Sequence, residues 1–101
     1  MMKNRILHLN LKKKWFDMIL ECSKNEEYRE IKPYWTKRFK DFLVEKPYDY
    51  ILFKNGYKKN ASTMKIELIS IEFGYPKPDW ADIYKFCYVL KLGRIMYLNN
   101  I

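Results

Sequence analysis

Cysteine, glycine and histidine are scarce in this chain of 101 residues, at two, three and one. Each scarcity removes a class of chemistry. Cys22, Cys87 and His8 make at most an incomplete donor set, so no zinc site is expected, and both thiols read as reduced and partly buried. Three glycines leave no glycine-rich loop to cradle phosphate, and no zinc-peptidase, nucleophile-elbow or EF-hand spacing occurs. No apolar run approaches the ~18 residues of a membrane span, so no membrane partner is expected. Ile6 to Leu9, behind Lys3 and Arg5, is too short and too polar for a signal-peptide core, which points to the cytoplasm. Low-complexity segments, repeats and linkers are also lacking, so residues 1–101 read as one domain. No cofactor is expected.

Acidic residues are outnumbered. Twelve Asp and Glu face 20 Lys and Arg, for a net charge of +8. That excess attracts polyanions, chiefly nucleic acid or anionic membrane. A lysine-rich surface with no partner produces the same balance. Hydrophobic residues make up 49% of the chain and aromatics 18%, enough for a packed core.

Hydrophobic periodicity divides the chain into seven elements. Arg5 to Leu11 alternates as a strand. From Lys12 to about Cys22 the period becomes helical, with Trp15, Phe16, Ile19 and Leu20 on one face. Asn25 to Ile31 reads as a second strand. Pro33 suits the first turn of a second helix, whose stripe is Trp35, Phe39, Phe42 and Leu43, ending at Lys46-Pro47. Tyr50 to Phe53 is a short strand, and Asn55-Gly56 a turn. Thr63 to Phe73 is the longest strand. Its apolar series slips phase at Leu68-Ile69, the mark of a β-bulge. Tyr84 to Leu92 is the last strand. The order β-α-β-α-β-β-β, with short links late in the chain, predicts an α+β fold: a small mixed, mostly antiparallel β-barrel with two flanking helices.

Three charged residues of complementary chemistry fall close together after the first helix. Side chains alternate along a strand, so Glu27 and Arg29 share a face and Tyr28 takes the other. Lys24 sits at the helix-to-strand turn. Arg29 offers a fork of donors to phosphate or base carbonyls, and Glu27 accepts from an amine or ribose hydroxyl. A sheltered Lys24 acquires a lowered pKa and can serve as base or nucleophile. The alternative is an ion pair that fixes the turn. Lys12, Lys13 and Lys14, beside the unpaired N–H groups of a helix start, form either a phosphate site or a solvated run. Trp15, Tyr28, Trp35, Tyr57 and Trp80 either stack on bases or fill the core. Trp15 and Trp35, on apolar helix faces, are placed in the core, with the rim of a cleft as the alternative for Trp35, which follows soon after the second strand. His8 reads as a half-buried imidazole rather than a catalytic one.

The helix Leu11 to Leu20 followed by Lys24-x-x-Glu27-x-Arg29 resembles the signature of the ASCH family in the PUA-like superfamily. That motif runs Gly-x-Lys-x-x-Glu-x-Arg, and Cys22 stands at its glycine. The similarity continues through Asp49 to Phe53, Asn55-Gly56-Tyr57 and Lys91 to Ile95. It implies a PUA-like barrel and a cleft that engages RNA or a nucleotide. The ligand-binding candidates are Lys12, Lys13, Lys14, Lys24, Glu27, Arg29, Trp35 and Asn55. Some bacterial relatives hydrolyse N-acetylated cytidine with a lysine at the position of Lys24, which makes Lys24 and Glu27 the catalytic candidates. Those relatives carry threonine where this chain has Glu27, so binding is the expected function and amide hydrolysis the alternative.

Overall fold

The computed structural model describes residues 5–40 and 48–100. Its elements are β1 (Ile6–Leu11), α1 (Lys13–Leu20), β2 (Glu26–Arg29), α2 (Pro33–Phe39), β3 (Tyr50–Asn55), β4 (Thr63–Gly74) and β5 (Cys87–Asn99), with one 3₁₀ turn at Pro78–Trp80. This is the order the periodicity predicts. Phe42, Leu43 and the Lys46-Pro47 stop lie outside the described residues.

The fold is α+β, with one five-stranded mixed sheet in the order β1-β3-β4-β5-β2. β1 and β3 are parallel, and the other three pairings are antiparallel. Leu7, Leu9 and Leu11 of β1 point inward, as period-two alternation requires. They meet Trp15, Phe16 and Ile19 from α1, Phe39 from α2, and Ile51, Phe53, Met64, Ile66 and Leu68 from β3 and β4. Each such side chain, fully buried, contributes about 1.5–3 kcal/mol.

The phase slip in β4 is a real irregularity. Met64, Ile66, Leu68 and Ile71 are buried while Ile69 is exposed. Pairing with β5 shifts register at three places, the last between Leu68 and Ser70. Bulges of this kind bend and twist a strand. β5 differs from expectation at both ends. It starts at Cys87 and continues to Asn99. Tyr84 and Phe86 keep the alternation in sequence but lie in the loop before the strand. Beyond Leu92, the strand persists because β4 is long enough to pair with it as far as Asn99.

The hydrogen-bonded sheet is open, with β1 and β2 as its edges, so closure into a barrel is not part of the pairing. The edges nevertheless come within side-chain reach of one another. Arg29 Nη2 on β2 donates to the Asn10 carbonyl of β1 at 3.3 Å.

The exit from α1 sets the position of β2. Cys22 has φ +63°, the left-handed region that glycine favours. The Cys22 N–H donates to the Ile19 carbonyl and the Ser23 N–H to the Met18 carbonyl, at 3.0 and 2.9 Å. This is a Schellman cap with a non-glycine residue at its left-handed position. Cys22→Gly is therefore expected to stabilise the fold by about 0.5–1 kcal/mol, the relief of Cβ strain outweighing the added chain entropy. Urea denaturation with an unchanged m-value measures it.

Candidate functional site

A cleft of about 750 Å³ opens between the two edge strands. One wall is β1 and its exit, His8 to Lys12. The opposite wall is Glu27 to Arg29 on β2, with Tyr34 and Trp35 of α2 beside it. Gly56 and Tyr57 close one end, and Trp80 to Ile83 line the remainder with Trp15. Gly56 has φ +86°, and its N–H donates to the Leu11 carbonyl at 2.9 Å. That contact pins the β3–β4 turn against the end of β1 and presents Tyr57. The size suits one drug-sized or nucleotide-sized molecule.

A chain of ion pairs runs beneath and along the β2 wall. Lys24 Nζ lies 3.2 Å from Glu27 Oε1, and Glu27 Oε2 lies 2.7 Å from Arg29 Nη1. Glu27 thus holds one cation on each oxygen. Arg29 also donates to the Tyr28 carbonyl at 2.7 Å, and its guanidinium sits 5.3 Å from the Trp35 ring centre. The contact with Trp35 is a cation–π contact.

Lys24 does not border the cleft as the sequence suggests. It is 1% exposed, and its ammonium donates to the Trp80 carbonyl at 2.7 Å. The rings of Trp15, Tyr28 and Trp80 surround it within 6.0 Å. Burial pushes its pKa below the ordinary lysine value, while the Glu27 carboxylate pulls the other way. Lys24 anchors the 3₁₀ turn from behind and holds Glu27 in place. Glu27 and Arg29 face the cavity.

The other candidates divide. Lys12 lines the cleft and donates to Asp82 at 2.9 Å. Lys13 is exposed and pairs with Asp17 along α1. Lys14 lies over the Trp15 ring, 4.6 Å from its centre. A single phosphate cradle of three lysines is therefore not formed, because successive helical residues point in different directions. Asn55 is not among the lining residues; its neighbours Gly56 and Tyr57 are. Trp15 is buried, as placed, yet also lines the cleft, where its indole N–H donates to Asp82 at 3.3 Å. Trp35 is half-buried: it stacks on Phe39 on one side and lines the cleft on the other. His8 is exposed and lines the cleft rather than being half-buried, because strand alternation turns it away from the side of the buried Leu7 and Leu9.

Sequence reasoning did not single out Asn10, Tyr34 or Asp82. Their common signal is position: each adjoins an edge strand or the long proline-containing β4–β5 loop. Among the described residues no group of His, Cys, Asp and Glu is placed to hold a metal, and no helix is long and apolar enough to cross a membrane.

A second polar cluster braces the outer side of β2. The Tyr28 hydroxyl donates to Glu26 Oε1 at 2.7 Å and accepts from the Lys77 N–H at 3.2 Å. Lys91 donates to the other Glu26 oxygen. Burial opposes ionisation of Glu26, but Lys91 and Tyr28 together outweigh it and hold its pKa below the ordinary 4.5. Its folded pKa lies below its unfolded one. The stability it contributes is thus fully present above about pH 4.5 and is lost as pH falls through the folded value. Wild type is expected to lose stability more steeply than Glu26→Gln below pH 4.5, read from urea midpoints at stepped pH. Parallel curves for the two proteins would remove Glu26 from the acid transition.

The chain gives no significant match to any protein-family model, to any curated protein or to any solved structure.

Proposed function

We propose that this chain binds RNA or a nucleotide, with one base held in the cleft between β1 and β2, as an ASCH-like domain. On this reading the open sheet is a PUA-like barrel whose β1–β2 gap is the ligand site. The observation that carries it is the Lys24–Glu27–Arg29 ion-pair chain at the wall of an aromatic cleft. A left-handed backbone at Cys22, where the motif has glycine, supports the resemblance.

The chemistry follows from the side chains. Trp15, Trp35, Tyr34, Tyr57 and Trp80 offer ring faces or edges to a base, and stacking contributes about 1–3 kcal/mol per base. Each Glu27 oxygen retains a second lone-pair direction, able to accept from an exocyclic amine or a ribose hydroxyl. Arg29 keeps N–H groups for a base carbonyl or phosphate. Lys12 stands at the mouth for a phosphate. Fixed in advance by their mutual pairing, these groups lose little freedom on binding.

The lowered pKa of Lys24 favours the second reading, hydrolysis of an N-acetylated cytidine with Lys24 as base or nucleophile. Its position argues against that reading. The ammonium is enclosed by three rings and engaged by the Trp80 carbonyl and Glu27. Wild type is expected to bind the nucleoside and release no acetate.

Electrostatic attraction to phosphate makes binding salt-dependent. A single-stranded RNA titrated by anisotropy should lose affinity linearly in log salt, with a slope near −0.7 per phosphate neutralised. Lys12→Ala should make that slope shallower by about 0.7, whereas Lys13→Ala, away from the cleft, should leave it unchanged. Absence of binding at low salt would overturn the proposal.

A further inference from the structure

A second cluster of aromatic side chains lies across the sheet from Glu27 and Arg29, outside the cleft. Arg29 is paired with Tyr88 of β5, and Tyr88 with Phe73 of β4, so the three form one row on a common face, with Tyr88 itself buried under Thr36 and Phe39 of α2. Two strand spacings cover about 10 Å. At the far end of that row Phe73 stacks on Phe86 with ring centres 5.9 Å apart, and Tyr75 meets Phe86 edge-on at 5.4 Å. These rings are outside the core: Phe73 is 45% exposed, Phe86 47% and Tyr75 72%.

The loop between β4 and β5 joins the two places physically. It leaves β4 at Tyr75, supplies Trp80 to Ile83 to the cleft, and returns through Lys85 and Phe86 to β5. Positive charge enters with the loop. Lys85 precedes Phe86 in the chain, and Lys32 and Lys85 both contact a single Glu30 oxygen, at 3.1 and 3.4 Å, so two cations share one carboxylate there. Exposed stacked aromatics, one of them next in sequence to an exposed lysine, match the requirements of a single-stranded nucleic acid, whose bases stack and whose phosphates carry charge.

We infer that Phe73, Tyr75 and Phe86, with Lys85, form a second stacking platform that receives the nucleotides adjoining the one in the cleft, so that the ligand is a single strand rather than an isolated nucleotide. The inference rests on the nucleotide-binding reading of the cleft. A free nucleotide cannot span both places, whereas a strand can.

The test compares the four nucleoside monophosphates with a mixed-sequence single-stranded RNA of about eight nucleotides. Wild type should bind the RNA at least tenfold more tightly than the best monophosphate. Tyr75→Ser combined with Phe86→Ser should remove that advantage and leave monophosphate affinity unchanged, which also reports an intact fold. Tyr75→Ser with Lys85→Glu alters only exposed side chains and should act in the same direction should the first variant fold poorly. Equal affinity for RNA and monophosphate overturns the platform while leaving the cleft reading intact, as does RNA binding indifferent to both variants. A patch-dependent dimer of the chain, without any gain from RNA length, overturns it in favour of self-association. Failure of every monophosphate and of the RNA to bind overturns the cleft reading itself.

Discussion

Glu27→Gln is expected to destabilise the protein by about 3–5 kcal/mol, the cost of leaving a buried charge without its partner. Lys24 is sealed behind the cleft wall, and Glu27 is the only carboxylate in contact with its ammonium among the described residues. Neutralising Glu27 keeps the shape and strands that charge. For a domain of this size each kcal/mol is worth about 4–8 °C, so Tm should fall by about 12 °C or more. Lys24→Met should cost far less, under about 2 kcal/mol. Met keeps an apolar stem among the rings of Trp15, Tyr28 and Trp80, and Glu27 remains paired with Arg29. Lys24→Met with Glu27→Gln should recover part of the Glu27→Gln loss, because the stranded cation is gone. This asymmetry separates a structural Lys24 from a catalytic one. Were Lys24 the working group of a hydrolase, Lys24→Met would abolish turnover that wild type displays.

Arg29→Ala should lower affinity for a nucleotide by about 10- to 100-fold, as expected when a charged hydrogen-bond donor is removed from a sheltered site. Arg29 has three roles at once. It holds Glu27, covers Trp35 and bridges β2 to the Asn10 carbonyl of the opposite edge. Arg29→Lys keeps the charge but not the planar fork, and should restore only a small part of the lost affinity. Isothermal titration of wild type and both variants measures the difference. Equal affinities would assign Arg29 to bracing the two edges and not to the ligand.

Local patterns in the sequence carried most of the fold. The alternation of Leu7, Leu9 and Leu11, the helical stripe Trp15-Phe16-Ile19 and the phase slip at Leu68-Ile69 each depend on a few neighbouring residues, and each has a counterpart in the structure. The pairing of Lys24, Glu27 and Arg29 was legible for the same reason, since all three lie within one turn and one short strand. Depth was not legible. Nothing in the local pattern says that the distant Trp80 carbonyl caps Lys24, or that Trp80 and Tyr28 enclose it with Trp15. Charged residues are rarely so buried, and this one is tolerated because every hydrogen-bonding direction finds a partner or a ring face. The cleft partner Asp82 comes from a segment remote in sequence, more than fifty residues beyond β2, so no local pattern announces its approach. The start of β5 was misplaced because Tyr84 and Phe86 continue an alternating pattern within a loop, where Phe86 packs against Phe73 and Tyr75 and Tyr84 is exposed.

The chain has three tryptophans, and Trp15, Trp35 and Trp80 all line the cleft. Intrinsic fluorescence therefore reports occupancy of this one site without any label. Titration with nucleoside monophosphates and with short single-stranded RNA should give saturable quenching that Arg29→Ala weakens by at least tenfold in midpoint. Fluorescence that stays flat to millimolar nucleotide and to saturating RNA, in folded wild-type protein, would contradict the assignment of the cleft as a nucleotide site.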